Sequence, residues 1–154
     1  MSAPLRLIPG AAIADLGAAD APAVLSALSA RLLAAGAVTG GFEAAVLARE
    51  ETYPTGLPTA IPAAIPHTDP EHVLRPGLAV ATLREAVAFG EMGSADRSVA
   101  VRLVVMLVLA DAHSQLEALQ GVIGHLQDAS GVEEVLAAAD DAELARRVTA
   151  WLEG

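Results

Sequence analysis

"VAVRLVVMLVLA", residues 99–110, is apolar throughout except for Arg102. Twelve residues fall short of the roughly 18 needed to cross a bilayer, but they match the length of a long strand. A strand half-exposed to water alternates apolar and polar side chains. A nearly unbroken Val/Leu run instead predicts a strand covered on both faces. The fold that follows is α/β, a single domain spanning residues 1–154 with a central β-sheet covered by helices.

The flanking sequence supplies those helices. Downstream, in residues 111–128, Leu116, Leu119, Ile123 and Leu126 make one helical stripe, and His125 lies opposite its centre, facing water. The N-terminal cap has two readings, Asp111 or a capping box of Ser114 with Glu117. Either puts His113 at or just before the first turn, where free backbone N–H groups favour an anion. Residues 131–154 give two further short helices divided near Asp140, with Trp151 closing the end. Upstream, Asp20 as N-cap, Pro22 in the first turn and Gly36 as a stop bound an amphipathic helix. A second helix covers residues 42–51 with Phe42, Val46 and Leu47 inward and Arg49 in its last turn. "LAVATLREAVAF", residues 78–89, reads as two short strands or a strand and a turn.

Composition narrows the chemistry. Of 154 residues, 54% are hydrophobic and 3% aromatic, so the core is built from small aliphatic side chains. The formal charge of −10, with no basic run, disfavours nucleic acid, because nothing would neutralise phosphates along a strand. It suits a positively charged protein partner better. The absence of cysteine removes disulfides, thiolate catalysis and thiolate-bound metals. The first residues lack a signal-peptide pattern, which makes a cytoplasmic protein the simplest expectation.

Six of the nine prolines fall between Pro54 and Pro76, four of them at every fourth position from Pro54 to Pro66. Such spacing forbids a helix and biases the preceding residues toward extended backbone. An ordered loop is expected, with a short strand within "TAIPAAIP", residues 59–66. The run ends on His67. His67 and His72 share "HTDPEH" with Asp69 and Glu71, but Pro70 breaks any helix between them, so the spacing does not suit a metal site and His72 reads as a surface residue. No G-x-S-x-G elbow, three-glycine dinucleotide loop or Walker-type phosphate loop occurs.

Three blocks carry a resemblance: "REETYPTGLPT" at 49–59, "IPHTDPEHV" at 65–73 and "LVLADAHSQLEALQGVIGHLQD" at 107–128. Together they resemble the IIA component of the sugar phosphotransferase system, of the fructose/mannitol type. "TYPTGL", "PHTDPEHV" and "FGEMG" are most similar to its galactitol-like group. The resemblance implies a mixed central β-sheet flanked by helices and a phosphoryl carrier with His67 as acceptor and with Arg49 and His113 stabilising the phosphate. "HTD" stands where many members have "HG". The implied donor is phosphorylated HPr, and the implied acceptor is a cysteine of a cognate IIB component working with a membrane IIC. Without cysteine here, that acceptor comes in trans. No cofactor and no metal are implied. The alternative within the resemblance is a regulatory IIA-like protein of the nitrogen type, phosphorylated on His67 but acting by binding other proteins. A carrier needs an imidazole fixed in direction yet open to two successive partners. The flanking prolines provide such fixing by limiting the freedom of the unbound loop.

Overall fold

The structure is a computed structural model and describes residues 5–153, with the side chains of residues 112–115 outside the description. Five strands form one sheet: β1 (Leu7–Leu16), β2 (Gly56–Leu57), β3 (Ala63–Ala64), β4 (Gly77–Gly90) and β5 (Ser98–Val108). Their order is β1-β4-β5-β3-β2. β1 runs parallel to β4 and β3 parallel to β5, while β4–β5 and β2–β3 are antiparallel, so the sheet is mixed.

β5 is the doubly covered strand that its sequence predicts. Val104, Met106 and Val108 face α1 (Ala21–Ala34) and α2 (Phe42–Thr52) on one side. Leu103, Val105, Leu107 and Leu109 face α3 (Ala112–Leu126), α4 (Ala129–Leu136) and α5 (Asp141–Glu153) on the other. Arg102 sits where the inward faces change parity: Val101 and Val104 belong to the same core, and Arg102 between them is exposed. The partner strand absorbs this change. Residues 78–89 form one long strand, not two, with a register shift between Thr82 and Val87 that leaves residues 84–86 exposed.

Both early helices match their signals. Asp20 Oδ1 accepts from the Ala23 amide at 3.0 Å, and Gly36 takes φ +73° after the C-terminus. α2 buries Phe42 and Val46 and carries Arg49 in its last turn. In α3 the buried stripe is centred elsewhere than expected: Val122 and Leu126 are buried, whereas Leu116 is 61% exposed. His125 does not face open water either. It is half-buried, its ring 5.4 Å from that of Trp151. Trp151 itself packs on the α3–α5 side of the core, as the sequence suggests.

β1 is an element that sequence patterning does not announce. It contains Pro9 and Gly10, the latter at φ +84°, and ends near Asp15 at φ +55°. Its place is fixed by burial of Ile8, Ala11, Ala12 and Ile13 and by the Asp15 amide donating to Thr82 Oγ1 at 2.8 Å.

Candidate functional site

The proline run lies along β5 and becomes part of the sheet. Proline has no N–H to give, but its carbonyl still accepts. The Arg102 amide donates to Pro62 O and the Leu107 amide to Pro66 O, each at 2.9 Å, bracketing the two paired residues of β3. β2 folds back on β3, and the Ile65 amide donates to Thr55 O at 3.2 Å. The segment therefore emerges from the sheet at Pro66 with its direction already set, and His67 is next.

Only 8% of His67 is exposed. Its Nδ1 lies 2.9 Å from Ile65 O. A carbonyl only accepts, so Nδ1 carries the proton and, in the neutral ring, Nε2 holds the lone pair. Burial pushes the imidazole below its ordinary value; the Ile65 bond opposes this, Arg49 lowers it further and Asp69 opposes. The ring is thus neutral at neutral pH. The expectation that the prolines hold His67 openly toward solvent is corrected here. The ring stops against the sheet because Pro66 is tied to β5, and access to it runs through a cavity of about 440 Å³.

Arg49, Tyr53, Thr55, Met92 and Leu119 line that cavity with His67. Arg49 comes from the last turn of α2 and lies over the Tyr53 ring, Cζ 5.1 Å from its centroid. Its Nη1 is 3.6 Å from Asp69 Oδ1. Its Nε is buried and has no hydrogen-bond partner among the described residues. The structure accordingly brings Arg49 and His67 to one cavity, from segments 18 residues apart. His113 falls in the first turn of α3, but its side chain lies outside the described residues.

Two supports escape the sequence reading. Glu50 accepts from the Thr55 amide at 2.8 Å and from Thr55 Oγ1 at 2.7 Å. Burial pushes the Glu50 carboxyl up, and both Thr55 bonds oppose it. This brace fixes the turn whose carbonyl receives Ile65, and Ile65 in turn orients His67. Glu50 stands beside Arg49 in the "RE" pair, which is the one signal that pointed there. The other support is His72, which is not a surface residue. It is half-buried, with Nδ1 3.0 Å from Thr39 Oγ1 and its ring against Gly41, where a Cβ would come within 2.6 Å of it. Its carbonyl also accepts from Thr39 at 2.9 Å, pinning the loop after His67 to the entry of α2.

Residues 10–150 match the family described as "Phosphoenolpyruvate-dependent sugar phosphotransferase system, EIIA 2", and the chain belongs to that family. Among solved structures, IIA mannitol from Escherichia coli is 24% identical, covers 94% of this chain and 99% of its own, and superposes with a TM-score of 0.75. The E. coli complex of enzyme IIA mannitol with phosphorylated enzyme IIB mannitol is similar at 22% identity, 95% and 99% coverage and a TM-score of 0.76. Nitrogen regulatory protein IIA-Ntr from Neisseria meningitidis gives 22%, 93% of each chain and 0.70. At these identities the likeness is one of fold. No curated protein matches. Among the described residues, no helix is long and apolar enough to cross a membrane.

Proposed function

We propose that this protein carries a phosphoryl group on His67, taking it from phosphorylated HPr and passing it to a cysteine of a cognate IIB component for sugar uptake. The observation that carries the reading is the bond from His67 Nδ1–H to Ile65 O, which leaves Nε2 as the nucleophile of a neutral ring beside Arg49. In the first step Nε2 attacks phosphorus, the donor's P–N bond breaks, and the electron pair returns to the donor imidazole. In the second, a thiolate attacks phosphorus and the pair returns to Nε2. Such transfers depend on positioning and charge stabilisation rather than on elaborate covalent chemistry. The Arg49 guanidinium, whose Nε has no partner among the described residues, can donate to the transferring oxygens, and His113, at the helix start, is the second stabilising group in this reading.

The complex of a similar fold with its phosphorylated IIB partner supports a IIB acceptor. "TYPTGL" and "PHTDPEHV" favour the galactitol-like branch. The test is intact mass before and after incubation with enzyme I, HPr and phosphoenolpyruvate. One phosphoryl group is expected on the wild type and none on His67→Ala. A labelled His67→Ala protein overturns the assignment. A regulatory role, as the name of the Neisseria nitrogen regulatory protein of similar fold suggests, is favoured instead if the labelled protein fails to pass phosphate to any thiol acceptor.

A further inference from the structure

Asp69 stands two residues beyond His67, and its carboxylate faces the guanidinium of Arg49 at 3.6 Å. The two ends of this ion pair are held very differently. Arg49 is two-thirds buried and lies over Tyr53, and its buried Nε has no hydrogen-bond partner among the described residues. The Asp69 side chain is 73% exposed, and the pair is too long for a strong hydrogen bond. Asp69 can therefore swing away at small cost, whereas Arg49 stays where it is.

We infer that Asp69 is a resident counter-anion: it occupies Arg49 while His67 is unmodified, gives way when a phosphoryl group arrives, and thereafter raises the energy of phospho-His67 by like-charge repulsion. The inference deepens the carrier reading and rests on it. Its consequence is that Asp69 biases the equilibrium toward onward transfer and against storage of phosphate on the protein. Asp69 does not touch the reacting atoms; it acts on them by its charge, first by occupying Arg49 and then by repelling the phosphoryl group. The loop keeps it near, because Pro70 follows directly and His72 is anchored to Thr39.

One negative charge removed near a dianion, in a largely hydrated setting, changes an equilibrium by about three- to tenfold. The experiment measures the equilibrium between phosphorylated HPr and this protein for wild type, Asp69→Asn, Asp69→Glu and Glu71→Gln. Glu71, 74% exposed and paired with His72, controls for loss of a charge nearby. Asp69→Asn is expected to shift the equilibrium about three- to tenfold toward the phosphorylated protein and to lengthen the lifetime of the phosphohistidine. That gain should shrink between 0.05 and 0.5 M salt, on the order of one tenfold rise in ionic strength, because screening weakens an exposed charge. Asp69→Glu should restore the wild-type equilibrium, and Glu71→Gln should leave it within about twofold of wild type. A purely structural Asp69 would not give a gain that shrinks as salt rises. An Asp69→Asn equilibrium equal to wild type, or shifted toward the donor, overturns this inference alone. Wild-type protein that takes no phosphoryl group overturns the carrier reading, and this inference with it.

Discussion

In the proposed carrier, two demands oppose each other at His67: burial keeps the ring neutral and oriented, yet a nucleophile must be reached. The cavity beside the ring reconciles them, because it is large enough to admit a phosphoryl group. Removing Arg49 should then slow transfer by about two powers of ten or more, by analogy with losing one fixed oxyanion donor, with the unfolding midpoint nearly unchanged. Rapid-quench labelling of Arg49→Ala checks it. The pH dependence follows from the lowered proton affinity of His67. Above about 6.5, folded and unfolded chains both hold the ring neutral and this group contributes no pH slope. Below that, the unfolded chain binds the proton first, so stability is lost as pH falls toward the lower native value. Urea midpoints between pH 7.5 and 5.5 should therefore drop more for wild type than for His67→Gln. Labelling rates should hold steady down to about 6.5 and decline only below it.

At the scale of elements, the site depends on short pieces held by long ones. β2 and β3 have two residues each and no independent stability, so their placement rests on β5, on the prolines' carbonyls and on the Glu50–Thr55 brace. Thr55→Val leaves the part-buried Glu50 carboxylate with one partner fewer and should cost about 1–3 kcal/mol, read from urea unfolding. Gly56 lies where a Cβ would come 2.5 Å from the Gly90 carbonyl oxygen, a backbone atom that cannot move aside. Gly56→Ala should cost about 1–3 kcal/mol and slow labelling by displacing the turn that supports Ile65. This dependence also explains what could be read in advance. β5, α1, α2 and the α4–α5 pair follow local rules, an apolar run or a cap and a stop, and they stand where their residues suggest. β1 follows no local rule: proline and glycine interrupt it, and only its neighbours in β4 make it a strand. For the same reason the burial of His67, the packing of His125 on Trp151 and the anchoring of His72 were not legible, since each is decided by a residue distant in sequence. The Arg49–His67 pairing was legible through recurring blocks, not through periodicity.

At the scale of the molecule, the sheet separates two cores that share no side chains. Leu32 belongs to the α1–α2 side and Leu126 to the α3–α5 side, both essentially inaccessible to water. Each change to Ala should cost about 2–5 kcal/mol, and the double variant should lose the sum within about 0.5 kcal/mol, because the sites have no common neighbour. Urea denaturation of the two single variants and the double variant measures this.

Both borders of the sheet are poor templates. The outer strand at one side is β2, only two residues long; at the other, β1 is broken by register shifts and by positive φ at Gly10 and Asp15. Among the described residues, neither edge offers a neighbouring molecule a straight, unpaired ladder to extend, which works against fibril growth through the edges of a chain whose strands are rich in Val, Leu and Ala.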